Sequence, residues 1–187
     1  MKTTCINLLF HPVPYMLRDE PKHFLRGYFN AFTSVFYPDI CACVEHALPT
    51  LADNNAVWFK TSDEAQSTFW LRSMFVRESG ENLYLGQSIP RNWLSNGNNI
   101  GIEAAATYFG QVSFRVESNV IQNRIPAFVD PPERNSPDTI YVRLRHPEHK
   151  PLKSVTVNGK PYADFDAARE WIVLPGNLRG SQKIVAQ

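Results

Sequence analysis

Apolar residues near the amino terminus recur at every third or fourth position, the spacing of an amphipathic helix. Asp19 can cap its start, Pro21 is tolerated in a first helical turn, and Pro38 cannot continue a helix because it has no amide hydrogen. The pattern predicts a helix from Asp19 to Tyr37 whose aromatic stripe needs a large partner surface. The stripe consists of Phe24, Leu25, Tyr28, Phe29, Phe32, Val35 and Phe36.

A second helix is predicted to begin at Thr61, because Thr61 and Glu64 have the spacing of a capping box. Gly80 is its predicted end. Two helices are too few to close a bundle, so their apolar faces should pack against the β part, another chain or further helices. The second apolar face consists of Ala65, Phe69, Trp70, Leu71, Met74 and Phe75.

After Gly80 the hydrophobic period changes to two, which is typical of strands with one buried face. Turn residues separate the short apolar runs, and the step Asn158-Gly159 is a strong hairpin signal because both residues tolerate positive φ. No helical pattern intervenes, which favours an antiparallel sheet over a parallel βαβ arrangement. The predicted fold is α+β, with a helical segment over 1–80 and an antiparallel β-sandwich over 81–187. The predicted strands contain Leu83 and Leu85, Ile100 and Ile102, and the runs 112–116, 125–129, 140–144, 155–157, 171–174 and 183–185.

Composition and charge disfavour several classes of function. The apolar fraction of 43% can supply an ordinary core, and the net charge of +1 favours neither nucleic acid nor an anionic membrane surface as a partner. The three cysteines, Cys5, Cys41 and Cys43, make neither a disulfide framework nor a zinc site, so we expect no metal and no cofactor. The first twelve residues encode no secretory signal, so we expect either a cytoplasmic protein or an internal start within a longer exported one.

Glu45 and His46 are the candidate catalytic residues, because a carboxylate beside an imidazole can perform acid–base chemistry or bind a sugar hydroxyl. The alternative is a polar pair that fixes a loop through hydrogen bonds to the backbone. Asp63 and Glu64 do not suit glycoside chemistry, because adjacent helical residues point in different directions and capping already explains Glu64.

Tryptophan side chains can stack on the apolar faces of sugar rings. Trp70 and Trp171 lie on patterned apolar faces and are expected in the core. Trp58 and Trp93 are the better candidates for substrate binding. Arg143 and Arg145 alternate on the outer face of one strand, where a solvated edge or a salt bridge to a partner would explain them.

Three segments resemble the carboxyl-terminal end of large bacterial (α/α)6-barrel, six-hairpin glycosidases, in which the last barrel helices run into a β-sandwich. They are YMLRDEP and its continuation (15–30), VEH with KTSDEA (44–46 and 60–65), and LYLGQSIPRNWL (83–94), and the later runs TYFG (107–110) and SVTVNG (154–159) fit the sandwich. The resemblance implies that Glu45 and His46 line the barrel mouth. It also implies that Arg91 and Trp93 lie at the junction of barrel and sandwich, so Arg91 joins Trp58 and Trp93 as a candidate substrate-binding residue. A barrel of twelve helices does not fit before Gly80.

The sequence therefore supports two hypotheses. In the first, the chain is the terminal part of a carbohydrate-active, glycoside hydrolase-like protein; Glu45 would be one catalytic carboxylate, and the second would lie in sequence outside this chain. In the second, the chain is a non-catalytic module that binds glycan or mediates subunit assembly. The expected partners are a carbohydrate and either the missing barrel region or a second copy of the chain.

Overall fold

A computed structural model describes residues 12–44 and 59–187. The chain divides into two compact units, Met1–Arg72 and Ser73–Gln187. The described residues contain three α-helices and sheets of two, five and six strands, which confirms the α+β fold with a β-rich part. The domain boundary predicted between residues 80 and 81 stays a prediction.

The first unit contains the helices α1 (Val13–Leu17) and α2 (Pro21–Val35) and most of α3 (Thr61–Phe75). A short hairpin of β1 (Phe36–Tyr37) and β2 (Ala42–Cys43) follows α2.

The predicted first helix is confirmed as α2, and its stripe packs against α3. Phe24, Tyr28 and Val35 are buried. The Phe24 ring meets Trp70 edge-on, with 6.3 Å between centroids, and the Tyr28 hydroxyl donates to the Ser67 carbonyl at 3.3 Å. The aromatic spacing of α2 is therefore explained in large part by contacts within this unit.

Two predicted helix boundaries are wrong. Asp19 does not cap α2: its backbone is left-handed, with φ of +58°, and Glu20 precedes the helix without a side-chain cap. Gly80 does not end α3, because the helix stops at Phe75 and Val76 begins a strand. Gly80, with φ of +56°, instead lies in the turn of the following hairpin, where a residue without Cβ is favoured.

The second unit is built from two sheets. The six-stranded sheet has the order β10-β9-β13-β7-β6-β5, and the five-stranded sheet has the order β11-β12-β8-β4-β3. The strands are β3 (Val76–Ser79), β4 (Asn82–Leu85), β5 (Asn99–Thr107), β6 (Gly110–Glu117), β7 (Ile125–Asp130), β8 (Thr139–Arg143), β9 (Val155–Val157), β10 (Lys160–Tyr162), β11 (Phe165–Asp166), β12 (Trp171–Pro175) and β13 (Gln182–Ala186).

The two sheets form a sandwich whose core comes from alternate residues of facing strands. Leu83, Leu85 and Ile140 of the five-stranded sheet and Val112 and Phe114 of the six-stranded sheet are at most 1% exposed. At Gly86, which follows β4, a Cβ atom would lie 3.1 Å from the Phe114 ring of the opposite sheet. This close approach requires glycine there, together with the positive φ of +71°.

One strand pair departs from the predicted antiparallel arrangement. β4 and β8 run parallel, with Leu83 opposite Ile140. Between them the chain passes through β5, β6 and β7 of the other sheet. A long connection permits a parallel pair, whereas a tight hairpin imposes an antiparallel one. The predicted Asn158-Gly159 hairpin between β9 and β10 is confirmed, with φ of +51° and +79°.

The solvated edge predicted for Arg143 and Arg145 is wrong. β8 lies between β12 and β4, in the interior of its sheet, and the two arginines are 7% and 6% exposed. The Arg143 guanidinium lies over the Trp171 ring, 4.8 Å from its centroid. A single sequence does not reveal that this strand has a neighbour on each side.

Candidate functional site

The predicted site residues divide into two groups. Glu45, His46 and Trp58 lie outside the described residues, so their roles stay predictions. Arg91 and Trp93 both lie in a single 3₁₀ turn, Arg91–Leu94, which follows the loop after β4 in the second unit.

Backbone and core contacts hold this turn in place. The Trp93 amide donates to the Pro90 carbonyl at 3.0 Å. Leu94 is 1% exposed, and its carbonyl accepts a hydrogen bond from the Ser118 hydroxyl at 2.5 Å. Because Leu94 is anchored in the core, the half-buried Trp93 beside it is held at the surface of the sandwich.

Trp93 lies beside a second aromatic ring. Phe75 is the last residue of α3, and its carbonyl accepts from the Gly86 amide at 2.8 Å. The rings of Trp93 and Phe75 are 6.2 Å apart between centroids and inclined by 29°, which is a stacked arrangement. They border an open groove of about 510 Å³ that we call the Trp93 shelf, lined by Phe75, Trp93, Asn98, Asn99, Ile100 and Gly101.

Two asparagines supply the polar part of the Trp93 shelf. The Asn98 amide nitrogen donates to the Trp93 carbonyl at 3.2 Å, which ties this side chain to the turn. Asn99 is exposed at the start of β5. A primary amide both donates and accepts hydrogen bonds, as a sugar hydroxyl does. The shelf therefore combines an aromatic surface with amide groups at one rim.

Arg91 is held by protein groups. Its guanidinium makes two parallel hydrogen bonds to the Glu170 carboxylate, at 2.7 and 2.6 Å, and a third to the His146 carbonyl at 2.8 Å. Glu170 is 6% exposed. This fork-to-fork geometry fixes both partners. We interpret Arg91 as a positioning residue for the turn that carries Trp93, and its predicted contact with substrate stays a prediction.

His146 lies next to this ion pair and is buried. Its Nδ1 accepts a hydrogen bond from the Glu148 amide at 3.1 Å. Burial lowers the pKa of the imidazole, and the nearby Lys150 lowers it further. The pKa of the Glu148 carboxyl is lowered as well, because Lys150 donates a hydrogen bond to it. The neutral ring, with its proton on Nε2, is therefore the favoured form of His146.

An aromatic layer covers the outer face of the five-stranded sheet. Tyr84 and Tyr141 stack at 4.9 Å, and Trp171 meets both rings edge-on, at 5.8 and 6.0 Å. The Arg77 guanidinium lies 4.3 Å from the Tyr84 centroid. Trp171 and Trp70 are each 7% exposed, which confirms that both belong to buried surfaces. This layer stabilises the sheet and offers little open surface to a ligand.

Sequence reasoning missed three residues of the Trp93 shelf. Phe75 belongs to the predicted apolar face of the second helix, and no prediction includes Asn98 or Asn99. The amide-rich run Asn96-Gly97-Asn98-Asn99 is the signal that could have indicated a polar surface near Trp93. Its distance from Trp93 is set by the fold, which brings the start of β5 beside the turn.

Within residues 12–44 and 59–187, His, Cys, Asp and Glu side chains nowhere gather in threes or more in a way that would hold a metal ion. None of the helices in this part of the chain has the length and hydrophobicity needed to cross a membrane.

No protein-family model matches the sequence, and no curated protein does. Solved structures do match. One described as a glycoside hydrolase has a TM-score of 0.45 and 13% identity, over 97% of this chain and 33% of its own length. A GH127 β-arabinofuranosidase has a TM-score of 0.47 and 13% identity, over 94% of this chain and 30% of its own length.

This chain thus spans about a third of the length of these two structures. Both belong to the glycoside hydrolases, the broad class that the sequence resemblance implied. The six-hairpin barrel and the bacterial origin stay predictions. At such low identity and TM-score we take no substrate or activity from either structure.

Proposed function

We propose that this chain is part of a carbohydrate-active, glycoside hydrolase-like protein, and that its sandwich supports or extends a glycan site at the Trp93 shelf. The supporting observation is the stacked pair of Trp93 and Phe75 beside Asn98 and Asn99. The C–H face of a sugar ring loses contact with water when it packs on an aromatic ring, which is favourable. The amides can then bond the hydroxyls at the rim of the sugar.

Catalysis is a separate part of this proposal. Glycoside hydrolysis needs two carboxyl groups across the scissile bond. Glu45, with His46 beside it, remains the local candidate for one of them, and the second belongs to sequence outside this chain. The chain alone is therefore expected to bind a glycan without hydrolysing it.

A glycan-array screen tests the proposed binding. Wild type is compared with Trp93→Ala and with Tyr108→Ala, a matched control that removes an aromatic ring 70% exposed at the end of the β5–β6 hairpin. We expect the wild-type protein to bind at least one glycan class. Trp93→Ala should lose about tenfold or more in affinity, corresponding to roughly 1.4 kcal/mol. Tyr108→Ala should bind as wild type does. Equal binding by all three proteins would contradict the assignment of the Trp93 shelf.

The catalytic assignment needs a different comparison. Glu45→Gln is expected to leave glycan binding at the Trp93 shelf unchanged, because the proposed roles are distinct. In the longer protein, the same substitution is expected to abolish turnover. If Glu45→Gln retained full turnover there, Glu45 would not be a catalytic carboxylate, whatever the binding result.

The alternative proposal is a non-catalytic module that mediates subunit assembly. Apolar side chains on the helices of the first unit favour it, because Phe69 is 49% exposed, Leu71 39% and Phe29 36%. Light scattering separates the two proposals. Assembly predicts a concentration-dependent dimer or larger particle that Phe69→Ser weakens, whereas a monomer at all concentrations would leave glycan binding as the function of the isolated chain.

A further inference from the structure

Another cleft lies at the end of the sandwich where β7 begins and β13 ends, and it shares no lining residue with the Trp93 shelf. Its volume is about 580 Å³, within the range of roughly 300–1,000 Å³ that is typical of sites for small molecules. We call it the Lys153 cleft. Its lining residues are Gln122, Asn123, Ile125, His146, Lys150, Pro151, Leu152, Lys153, Ser154, Ala186 and Gln187.

Secondary structure sets the walls of the Lys153 cleft. One wall is the connection from β8 to β9, which crosses from one sheet to the other. That connection is fastened to the end of β13, because the Gln187 carbonyl accepts from the Lys153 amide at 2.6 Å and from the Ser154 amide at 3.2 Å. Asn123, which is left-handed with φ of +52°, and the start of β7 form the opposite side. Backbone hydrogen bonds therefore hold the wall formed by the β8–β9 connection against the end of β13.

The floor of the Lys153 cleft is apolar. Ile125, Leu152 and Ala186, which are 3%, 6% and 1% exposed, form its base, and more of the lining surface is apolar than polar. A ligand that fills the cleft therefore needs an apolar face. This requirement favours an organic molecule over a bare inorganic ion.

The charged side chains that line the cleft are lysines, and no carboxylate side chain is among its lining residues. Lys150 is paired with Glu148 at 2.8 Å. Lys153 makes no ion pair with any residue that the structure describes. Lys153 is therefore the charged side chain of the lining that remains available to an anionic group of a ligand.

Neutral polar groups complete the site. Asn123 and Gln122 present amides on one side, and Ser154, whose hydroxyl donates to the Gln187 side chain at 2.8 Å, lies on the other. His146 also lines the cleft, and its Nε2 is buried and makes no hydrogen bond to the described residues. A buried donor in this state indicates that an acceptor is missing from its surroundings.

We propose that the Lys153 cleft binds a small carboxylate ligand with an apolar face, such as a uronic acid. The ring would lie on the floor of Ile125, Leu152 and Ala186, and Lys153 would pair with the carboxylate. The Lys153 cleft and the Trp93 shelf share no lining residue, so each proposal can be tested without the other.

The test is a two-dimensional NMR titration of the ¹⁵N-labelled protein with sodium glucuronate, and with uncharged methyl glucoside as the comparison ligand. Saturable shifts for residues 122–125, 150–154 and 186–187 are expected with glucuronate alone. Lys153→Gln should weaken binding about five- to tenfold, the effect of losing one charge-assisted hydrogen bond. Lys160→Gln, which removes an exposed lysine of β10, should leave binding unchanged.

Titrations with two other anions, benzoate and inorganic phosphate, identify the chemical class of ligand that the Lys153 cleft binds. Binding of sodium benzoate as well as glucuronate supports a carboxylate site whose ring need not be a sugar. Binding of inorganic phosphate without glucuronate would overturn the proposal, as would equal shifts from methyl glucoside. Loss of glucuronate binding in Lys160→Gln to the same degree as in Lys153→Gln would also overturn it, because the effect would then be one of net charge.

Discussion

Cys41 and Cys43 are two residues apart and lie in opposite environments. Cys41 is exposed, in a left-handed turn with φ of +51°. Cys43 is 1% exposed, and burial, with the nearby carboxylates of Glu64 and Asp63, raises the pKa of its thiol to about 11. The Cys43 amide donates to Glu64 at 3.1 Å, which keeps that carboxylate close.

These environments predict unequal reactivity. At pH 8 a thiol with a pKa of about 11 is ionised to about one part in a thousand, and the thiolate is the form that reacts. We expect iodoacetamide to modify Cys41 in the folded protein and to spare Cys43, as read by tandem mass spectrometry of the peptide that contains both. Unfolding in denaturant should make Cys43 reactive. Equal modification of both residues in the native protein would contradict the described burial.

The Arg91–Glu170 pair is a bidentate ion pair whose arginine lies in the turn that carries Trp93. Arg91→Leu leaves the Glu170 carboxylate buried without its partner, so we expect unfolding to become easier by about 2–3 kcal/mol. Arg91→Lys should cost less, because lysine keeps the charge but not the forked geometry. The double variant Arg91→Leu/Glu170→Leu should recover part of the loss.

Urea denaturation measures these changes. If Arg91→Leu and the double variant were equally destabilised, the buried carboxylate would not be the cause, and the effect would come from lost packing of the arginine side chain. An Arg91→Leu variant as stable as wild type would contradict the bidentate contact itself.

At the scale of secondary structure, hydrophobic periodicity predicted the positions of α2 and of the strands of the sandwich, because each buries one face. The ends were less predictable. Gly80 follows a polar run and resembles a helix stop, but the chain forms β3 there because Val76 packs in the core, opposite Leu85. Tertiary packing therefore determines where α3 ends. The sequence around residue 80 contains no local signal that a strand begins at Val76.

Alanine substitution at two glycines, Gly27 and Gly176, should have opposite effects on the stability of the elements to which they belong. Gly27 lies inside α2, and a Cβ atom there would lie 3.8 Å from the Pro12 side chain, an ordinary van der Waals distance. Gly27→Ala should therefore stabilise the first unit by about 0.5–1 kcal/mol. At Gly176 a Cβ atom would fall 1.7 Å from the Pro137 carbonyl oxygen. Gly176→Ala should destabilise the second unit by at least about 2 kcal/mol, since the backbone must move.

Denaturation followed by circular dichroism compares the two variants with wild type. A destabilised Gly27→Ala would indicate that α2 is not a continuous helix at this position. A Gly176→Ala variant of unchanged stability would contradict the close approach of the turn after β12 to the segment before β8.

At the scale of the whole molecule, the sequence predicted an α+β protein with a β-sandwich but not how the chain runs through it. The parallel pair of β4 and β8 arises because three intervening strands belong to the other sheet. That connection also decides which residues meet at the Trp93 shelf. Sequence predicted Trp93 as a substrate-binding residue, because tryptophan can stack on sugar rings and because Trp93 lies outside the patterned apolar faces. That Phe75, Asn98 and Asn99 are its neighbours becomes clear only once the fold is known.

The location of the proposed sites within the chain determines which functions the isolated chain can perform. The Trp93 shelf and the Lys153 cleft lie within the second unit and need no residue from outside it. The proposed catalytic role, in contrast, rests on Glu45, which lies outside the described residues and whose role stays a prediction. Binding is therefore the property by which the isolated chain is best judged.

The most direct test observes the four indole N–H resonances of ¹⁵N-labelled protein while an oligosaccharide selected by the array is added, with Trp93 assigned from a Trp93→Phe variant. We expect the Trp93 indole and the side-chain amides of Asn98 and Asn99 to shift together and to saturate with one dissociation constant. Saturable binding that leaves the Trp93, Asn98 and Asn99 resonances unmoved would contradict a glycan site at the Trp93 shelf.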